Sequence, residues 1–308
     1  MKQSSEQGFT IVELMIATAM LLIVLSTALT FFSRSQGVYT NERVTLDMVQ
    51  DMRTVFDRFT NEIRMAGAGL PAPRGVIEGT PTTLIVRGDF NNIATIITSL
   101  SPITVAGADA TFPVGTTANF AAGQTISLIN NLTGVSALAK ITAVDSTAKT
   151  ITVDKDDLFP IESGAQLTDD PATNSFPAGA IINVIERRTY SIITAGDDIG
   201  AITRTVMYEN YGIDGTPAGT TIHSEEIIAR NVRKENGDPG LTFTYYKPDG
   251  TSAGLDADGN VIPSEAVKVQ IDLQARSANR DLQSGNYRTF TYTALVQVRG
   301  QYVPRVGF

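Results

Sequence analysis

The sequence predicts an α+β fold. A long N-terminal helix, transmembrane in its first half, packs its second half on an antiparallel β-sheet, and a small all-β subdomain is inserted into the sheet region. Three observations carry this. Between Phe9 and Phe32 there is a single charged side chain, Glu13. From Leu46 to Ile63 apolar side chains recur at steps of three and four. After residue 80 the chain turns to Thr-, Ile- and Val-rich segments, which favour strands.

At about 1.5 Å per residue the apolar run spans about 36 Å, enough to cross a hydrocarbon core of roughly 30 Å with some tilt. A short polar leader, Met1 to Gln7, precedes it, with Gly8 at the junction. In a secretory signal peptide the cleavage site follows the apolar stretch, which is then lost. Here the small residue stands before it, so a cut after Gly8 leaves the helix on the mature protein, starting at Phe9.

Gly8-Phe9-Thr10-Ile11-Val12-Glu13, followed by about 18 apolar residues, resembles the type III signal of type IV prepilins and pseudopilins. The resemblance implies a pilin-like fold. It implies that Gly8 precedes the prepilin peptidase cut and that Phe9 becomes an N-methylated N-terminus. It also implies that Glu13 meets the N-terminal amine of a neighbouring subunit. Physical chemistry supports the last role separately. A carboxylate within the apolar zone costs roughly 2.5–3.5 kcal/mol on insertion scales, so it needs a partner. No Lys or Arg lies between Phe9 and Ser33, and an N-terminal amine is the nearest candidate. Lys2 before the span and Arg34 and Arg43 after it do not set an orientation by charge. A cytoplasmic N-terminus is what the resemblance implies.

Residues 9–66 read as one helix. In its second half Leu46, Val49, Met52, Phe56, Phe59 and Ile63 form a stripe, widened by Met48 and Val55. Asp47, Asp51, Arg53, Asp57, Arg58, Glu62 and Arg64 take the remaining, polar positions. Such a stripe is core, not a cofactor box. Gly37 is a candidate kink, and Gly67, Gly69, Pro71 and Pro73 end the helix. The run Ile63-Arg64-Met65-Ala66-Gly67 is similar to PilW-type minor pilins. So are Ala229-Arg230-Asn231-Val232 before Phe243-Thr244-Tyr245, the Asp249-Gly250 turn, and the alternating strand Val267 to Arg276.

The β region divides into a pilin-like domain, residues 67–88 and 181–308, and an inserted subdomain, residues 89–180. Strands are expected at Thr82–Arg87, Gly123–Ile129, Ala137–Asp145, Lys149–Asp154 and Ala180–Ile193. The Ala137–Asp145 and Lys149–Asp154 segments form a hairpin around Ser146-Thr147-Ala148. Strands this short and closely spaced suggest a small barrel or sandwich.

Composition excludes several chemistries. There is no Cys and one histidine, His223, so Cys–His dyads, histidine zinc sites and multi-histidine relays are out. Ser224, Glu225 and Glu226 stand beside His223, but strand neighbours point to opposite faces, a poor geometry for a triad. No phosphate-binding Gly-rich motif is present. The formal net charge of −8 argues against a nucleic-acid groove. Asp256, Asp258 and Asn260 alternate like the first half of a calcium loop, and Asp249 and Glu265 could add ligands. The closing acid of a twelve-residue loop would fall at Val267, and a turn between strands is the plainer reading. No catalytic residue, cofactor or metal is expected.

What the resemblance implies is a non-catalytic minor pilin that helps to initiate a type IV pilus or sits near its tip. An insertion of this size suits a tip better than a tightly repeating shaft. The implied partners are the prepilin peptidase, other minor pilins, the major pilin, a PilY-type tip adhesin and the inner membrane, with no nucleic acid. The implied location is the inner membrane and then the extracellular pilus. Two other readings share these signals: a J-like minor pseudopilin of type II secretion, and a pilus-displayed adhesin whose insert does the binding. In the insert Phe90, Phe112, Phe120, Phe159 and Phe176 are scattered, without an evident aromatic cluster.

Overall fold

The computed structural model describes residues 9–70, 75–104, 109–132, 136–154, 159–160, 175–196, 199–211, 217–233, 239–254, 256, 259–262, 266–280 and 285–298. Two compact units divide the chain: Met1–Gln50 with Ser277–Arg288, and Asp51–Arg276 with Thr289–Phe308.

One helix, α1, runs from Ile11 to Met65. It has no Pro, and Thr10 caps its start. Helical hydrogen bonding continues through the expected kink at Gly37. A lone glycine costs about 1 kcal/mol relative to Ala, which a long cooperative helix absorbs. In the first unit every residue from Phe9 to Arg34 is exposed. Leu46, assigned above to the apolar stripe, is also exposed, whereas Met48 is buried. In this unit the Ser277 hydroxyl accepts the Arg288 backbone N–H at 3.0 Å, and the Arg280 guanidinium lies 5.1 Å from the Tyr287 ring centre.

The second unit holds the last part of α1 and all of the strands except Ser277–Arg280 and Tyr287–Arg288. The described strands are β1 (Val76–Gly79), β2 (Thr83–Gly88), β3 (Ala94–Ile96), β4 (Ile103–Thr104), β5 (Ala110–Pro113), β6 (Thr125–Ile129), β7 (Ser136–Asp145) and β8 (Thr150–Val153). They continue with β9 (Phe159–Pro160), β10 (Ser175–Phe176), β11 (Ile181–Gly196), β12 (Ile199–Tyr211), β13 (Pro217–Arg233), β14 (Leu241–Tyr246), β15 (Lys268–Arg280) and β16 (Tyr287–Gln297). The main path of the sheet is β14-β15-β13-β12-β11-β6-β7-β8-β5, and the described pairings are antiparallel. The predicted α+β class, a long apolar helix packed against a large antiparallel sheet, is the fold observed.

The strand β11 organises that sheet. Its first residues, Ile181 to Ile185, pair with β6 and in part with β3. Its later residues, Glu186 to Ser191, pair with β2, and Arg187 onward also pair with β12. The alternation of side chains follows. Ile182 and Val184 join a core with Phe112, Ile126, Leu128, Ile141, Ile151 and Phe176. Phe112 and Phe176 meet edge to face at 6.2 Å inside this core. The hairpin expected after Asp145 forms as β7 and β8, its turn held by Asp145 Oδ1 accepting the Thr147 and Ala148 N–H groups.

Candidate assembly site at the N-terminal helix

The start of α1 is built by two residues. Thr10 Oγ1 accepts the Glu13 N–H at 3.3 Å, while Glu13 Oε2 accepts the Thr10 N–H at 2.9 Å and the Thr10 hydroxyl at 3.0 Å. This reciprocal capping box satisfies donors that a helix start otherwise leaves open. Along the apolar run the hydroxyls turn back on the helix. Thr18 donates to Leu14 O at 3.0 Å, Ser26 to Ile23 O at 2.9 Å, Thr27 to Ile23 O at 2.8 Å and Thr30 to Ser26 O at 2.8 Å. Each polar group is thus satisfied within the helix, as a hydrocarbon medium requires. The helix is long and apolar enough to cross a membrane, and none of its apolar stretch is buried within the chain. Phe9 is exposed just before the capped turn. Gly8 lies outside the described residues.

At the other end of α1, within the second unit, Glu62 is buried. Its spacing on the helix predicts a polar-face residue, and its burial corrects that expectation. Glu62 lies one residue from Ile63 and three from Phe59, at the margin of the apolar stripe, where cationic side chains of the sheet reach it. Arg188 Nη1 lies 3.1 Å and Arg204 Nη1 2.6 Å from Glu62 Oε1, and the Tyr190 hydroxyl donates to Oε2. Arg58 Nε, one turn earlier on the helix, is 3.2 Å from Oε1. Arg188 also holds Glu186 at 2.7 Å, and Arg204 and Arg58 hold Glu226 at 3.1 and 2.9 Å. Arg188 further stacks over Phe90 at 4.1 Å. Apolar contacts flank the cluster: Phe59 meets Tyr190 edge to face at 4.4 Å and Phe243 at 5.7 Å.

The electrostatics follow from this arrangement. Burial pushes the Glu62 carboxyl up, but Arg188, the Tyr190 hydrogen bond and Arg204 together bring it below its ordinary value. Burial, and then the Glu62 charge, hold the Tyr190 hydroxyl well above its ordinary value, so it stays a donor. Burial pushes the Asp89 carboxyl up, against hydrogen bonds from the Ile93, Asn92 and Asn91 backbone that pull it down.

The helix end shows why glycines follow it. Gly67 and Gly69 adopt positive φ, 86° and 72°. The Gly67 N–H donates to Arg87 O at 2.7 Å, and the Asp89 N–H to Ala68 O at 2.8 Å, so the turn is laced to β2. Ala66 is fully buried, and a Cβ on Gly75 would lie 2.6 Å from the Ala66 carbonyl carbon and 2.7 Å from Val298 Cγ1. The Met65-Ala66-Gly67 run is therefore a close-packing site.

Elsewhere, Asp256 Oδ1 accepts the Asn260 N–H at 2.8 Å and Gly259 has φ 80°. Asp258 and Glu265 lie outside the described residues. His223 belongs to β13, and Ser224 and Glu225 beside it are exposed. No group of three or more acidic or histidine side chains poised for a metal occurs among the described residues.

An exposed apolar half-helix, capped at its start and carrying one charged side chain, has the length and composition of a membrane span. Residues 3–29 match the model of the prokaryotic N-terminal methylation motif. The chain thus carries the prepilin-type N-terminus of the type IV pilin and pseudopilin superfamily. In that segment it is similar to pilin-like proteins, which are typically non-catalytic structural subunits. The motif implies processing by prepilin peptidase and is consistent with residence in the membrane and then in a pilus or secreted location. No curated protein and no solved structure matches the chain.

Proposed function

We propose that this chain is a PilW-type minor pilin, a non-catalytic subunit that helps to initiate a type IV pilus or sits near its tip. The observation that carries the reading is the exposed helix from Phe9 to Arg34 with its one charged side chain, Glu13, held in a cap by Thr10. As a monomer such a helix rests in the inner membrane with a cytoplasmic N-terminus. In the filament its apolar faces pack on like helices. In this proposal Gly8 precedes the cut and Phe9 is the methylated N-terminus. Both described hydrogen bonds to the Glu13 carboxylate use Oε2, and the carboxylate goes on to meet the amine of a neighbouring Phe9. The partners are other minor pilins, the major pilin and a PilY-type tip adhesin.

The test is intact mass spectrometry of the native chain from a piliated host, combined with loss of its gene. The mass should begin at Phe9 with one added methyl, and loss of the gene should abolish pili while protein secretion continues. A mature form retaining Met1, or cut after Ala28, overturns the prepilin processing. Lost secretion with intact pili would move the chain to a type II pseudopilus.

A further inference from the structure

The strand β16 lies at an edge of the sheet and, among the described strands, pairs with β15 alone. The Val298 N–H donates to Val267 O at 2.9 Å, and the Thr293 hydroxyl donates to Asp272 Oδ1 at 2.6 Å. The two contacts keep one register, so no bulge separates them. Backbone groups alternate in direction along a strand, and Val298 fixes the phase. Even-numbered residues of β16 turn their N–H and C=O groups to β15. Thr289, Thr291, Thr293, Leu295 and Gln297 turn theirs outward. Among the described residues no backbone hydrogen bond reaches these groups from that side. The side chains of all five are exposed.

The ends of the main sheet path are covered instead. On β14 the Phe243 N–H donates to Pro81 O, and Tyr245 O accepts the Ala253 N–H, both at 2.8 Å. On β5 Pro113 O accepts the Thr98 N–H at 2.9 Å. Edge strands that proteins leave open carry charged residues, Pro or a bulge, which discourage chance pairing. Residues 289–298 contain no charged residue and no Pro, and most of them are β-branched or aromatic, the types that favour strands.

The two faces of β16 define what fits the edge. The Tyr292 ring lies 5.9 Å from that of Phe56 on α1, so the even-numbered side chains face the helix. Phe290, Tyr292 and Ala294 stay partly exposed there. On their inner side β15 matches them with an alternating pattern. Val269, Ile271 and Leu273 are buried, and Gln270 and Asp272 between them are partly exposed. A strand of the same alternation on the outer side covers the open flank of Phe290 and Tyr292 and satisfies the outward backbone groups at once. We propose that the outer edge of β16 takes up an extended segment of a partner polypeptide, apolar at alternate positions as β15 is, as one added strand. Main-chain hydrogen bonds hold such a segment, and the aromatic row selects its apolar positions. The inference goes beyond the minor-pilin reading and does not rest on it.

The test uses the full-length chain in detergent, with a synthetic peptide of the sequence of residues 267–276 as the probe. Hydrogen exchange is read residue by residue. Without peptide the Thr291, Thr293 and Leu295 amides should exchange freely and the Tyr292 and Ala294 amides slowly. Saturating peptide should slow the first set by roughly tenfold. Peptides N-methylated at every second residue should bind in one phase of methylation and fail in the other, because an added strand offers only one of its edges. Thr291→Pro removes an outward N–H and leaves the β15 ladder intact, so it should keep the wild-type melting temperature and lose the peptide. The methylated peptides decide on the unaltered chain if that variant does not fold. Slow exchange of the outward amides without peptide, whether the cover is the chain itself or a second copy, overturns the inference. So does a lack of protection at millimolar peptide, equal binding in both phases of methylation, or binding retained by a folded Thr291→Pro.

Discussion

Glu62 Oε1 on the helix lies 2.6 Å from Arg204 Nη1 on β12, a contact between residues 142 positions apart. It is one arm of a cluster in which Glu62 also meets Arg58, Arg188 and Tyr190. Removing one member of a buried ion pair strands the other. Glu62→Ala is predicted to cost about 3 kcal/mol, the low end for such a loss, because Arg188 keeps Glu186 and Arg204 keeps Glu226. At about 2–4 °C per kcal/mol for a domain of this size, the melting temperature should fall by about 6–12 °C. Tyrosine fluorescence of the full chain in detergent measures it, and an unchanged midpoint refutes the clamp.

The same cluster sets an acid dependence. The folded Glu62 carboxyl titrates below its ordinary value of 4.5, so its stabilising contribution is fully present above that pH and is lost as pH falls through the folded value. Asp89 has the opposite sign. Its folded carboxyl titrates above 3.8, so ionising it on the way up removes stability. Unfolding midpoints between pH 3 and 6 should therefore fall less steeply with acid in Glu62→Gln than in wild type, and more steeply in Asp89→Asn.

Gly75 tests the close packing beneath the helix end. A Cβ there would lie 2.6 Å from the Ala66 carbonyl carbon, which is backbone and cannot swing aside. Gly179 has φ 85° but open space around a Cβ. Gly75→Ala should cost about 2–3 kcal/mol as overpacking, against about 1 kcal/mol of backbone strain for Gly179→Ala. Equal costs in urea unfolding would contradict the packing argument.

Glu13 separates membrane residence from assembly. Glu13→Val removes a charge from the apolar span, worth roughly 2.5–3.5 kcal/mol on insertion scales, and also breaks the Thr10–Glu13 capping box. Membrane insertion should hold or improve, while recovery in sheared filaments drops at least tenfold. Normal recovery would refute the pairing role proposed for this carboxylate.

Deleting residues 89–180 probes the insert as a module. Ile182 and Val184 of β11 and Tyr208 of β12 belong to its core, so a bare deletion leaves three apolar side chains uncovered. Joining Gly88 to Ile181 is predicted to yield a soluble pilin-like core only when Ile182 and Val184 become Thr and Tyr208 becomes Ser. Aggregation of that variant, scored by size exclusion in detergent, would show that the segment is integral to the main sheet.

Much was legible in the sequence because it is local. The Gly8–Glu13 signal, the apolar run, the step-three-and-four stripe and the period-two strands depend on residues within a turn or two of one another. Helix and strand periods make those patterns visible without any knowledge of what they pack against. The Thr10-x-x-Glu13 capping box is local too, and its spacing could have been read directly.

The burial of Glu62, the sharing of β11 between two sets of neighbours and the Gly75–Ala66 approach were decided by tertiary structure alone. Each joins residues far apart in sequence, and each depends on which strands lie side by side and in what register. A one-residue slip of β11 would turn Ile182 and Val184 outward and Ile181 inward, with the same composition and the same local propensities. On a helix wheel Glu62 is one more charged position at the edge of a stripe, and Arg188 and Arg204, brought over it by the sheet, make it the buried anchor of the helix.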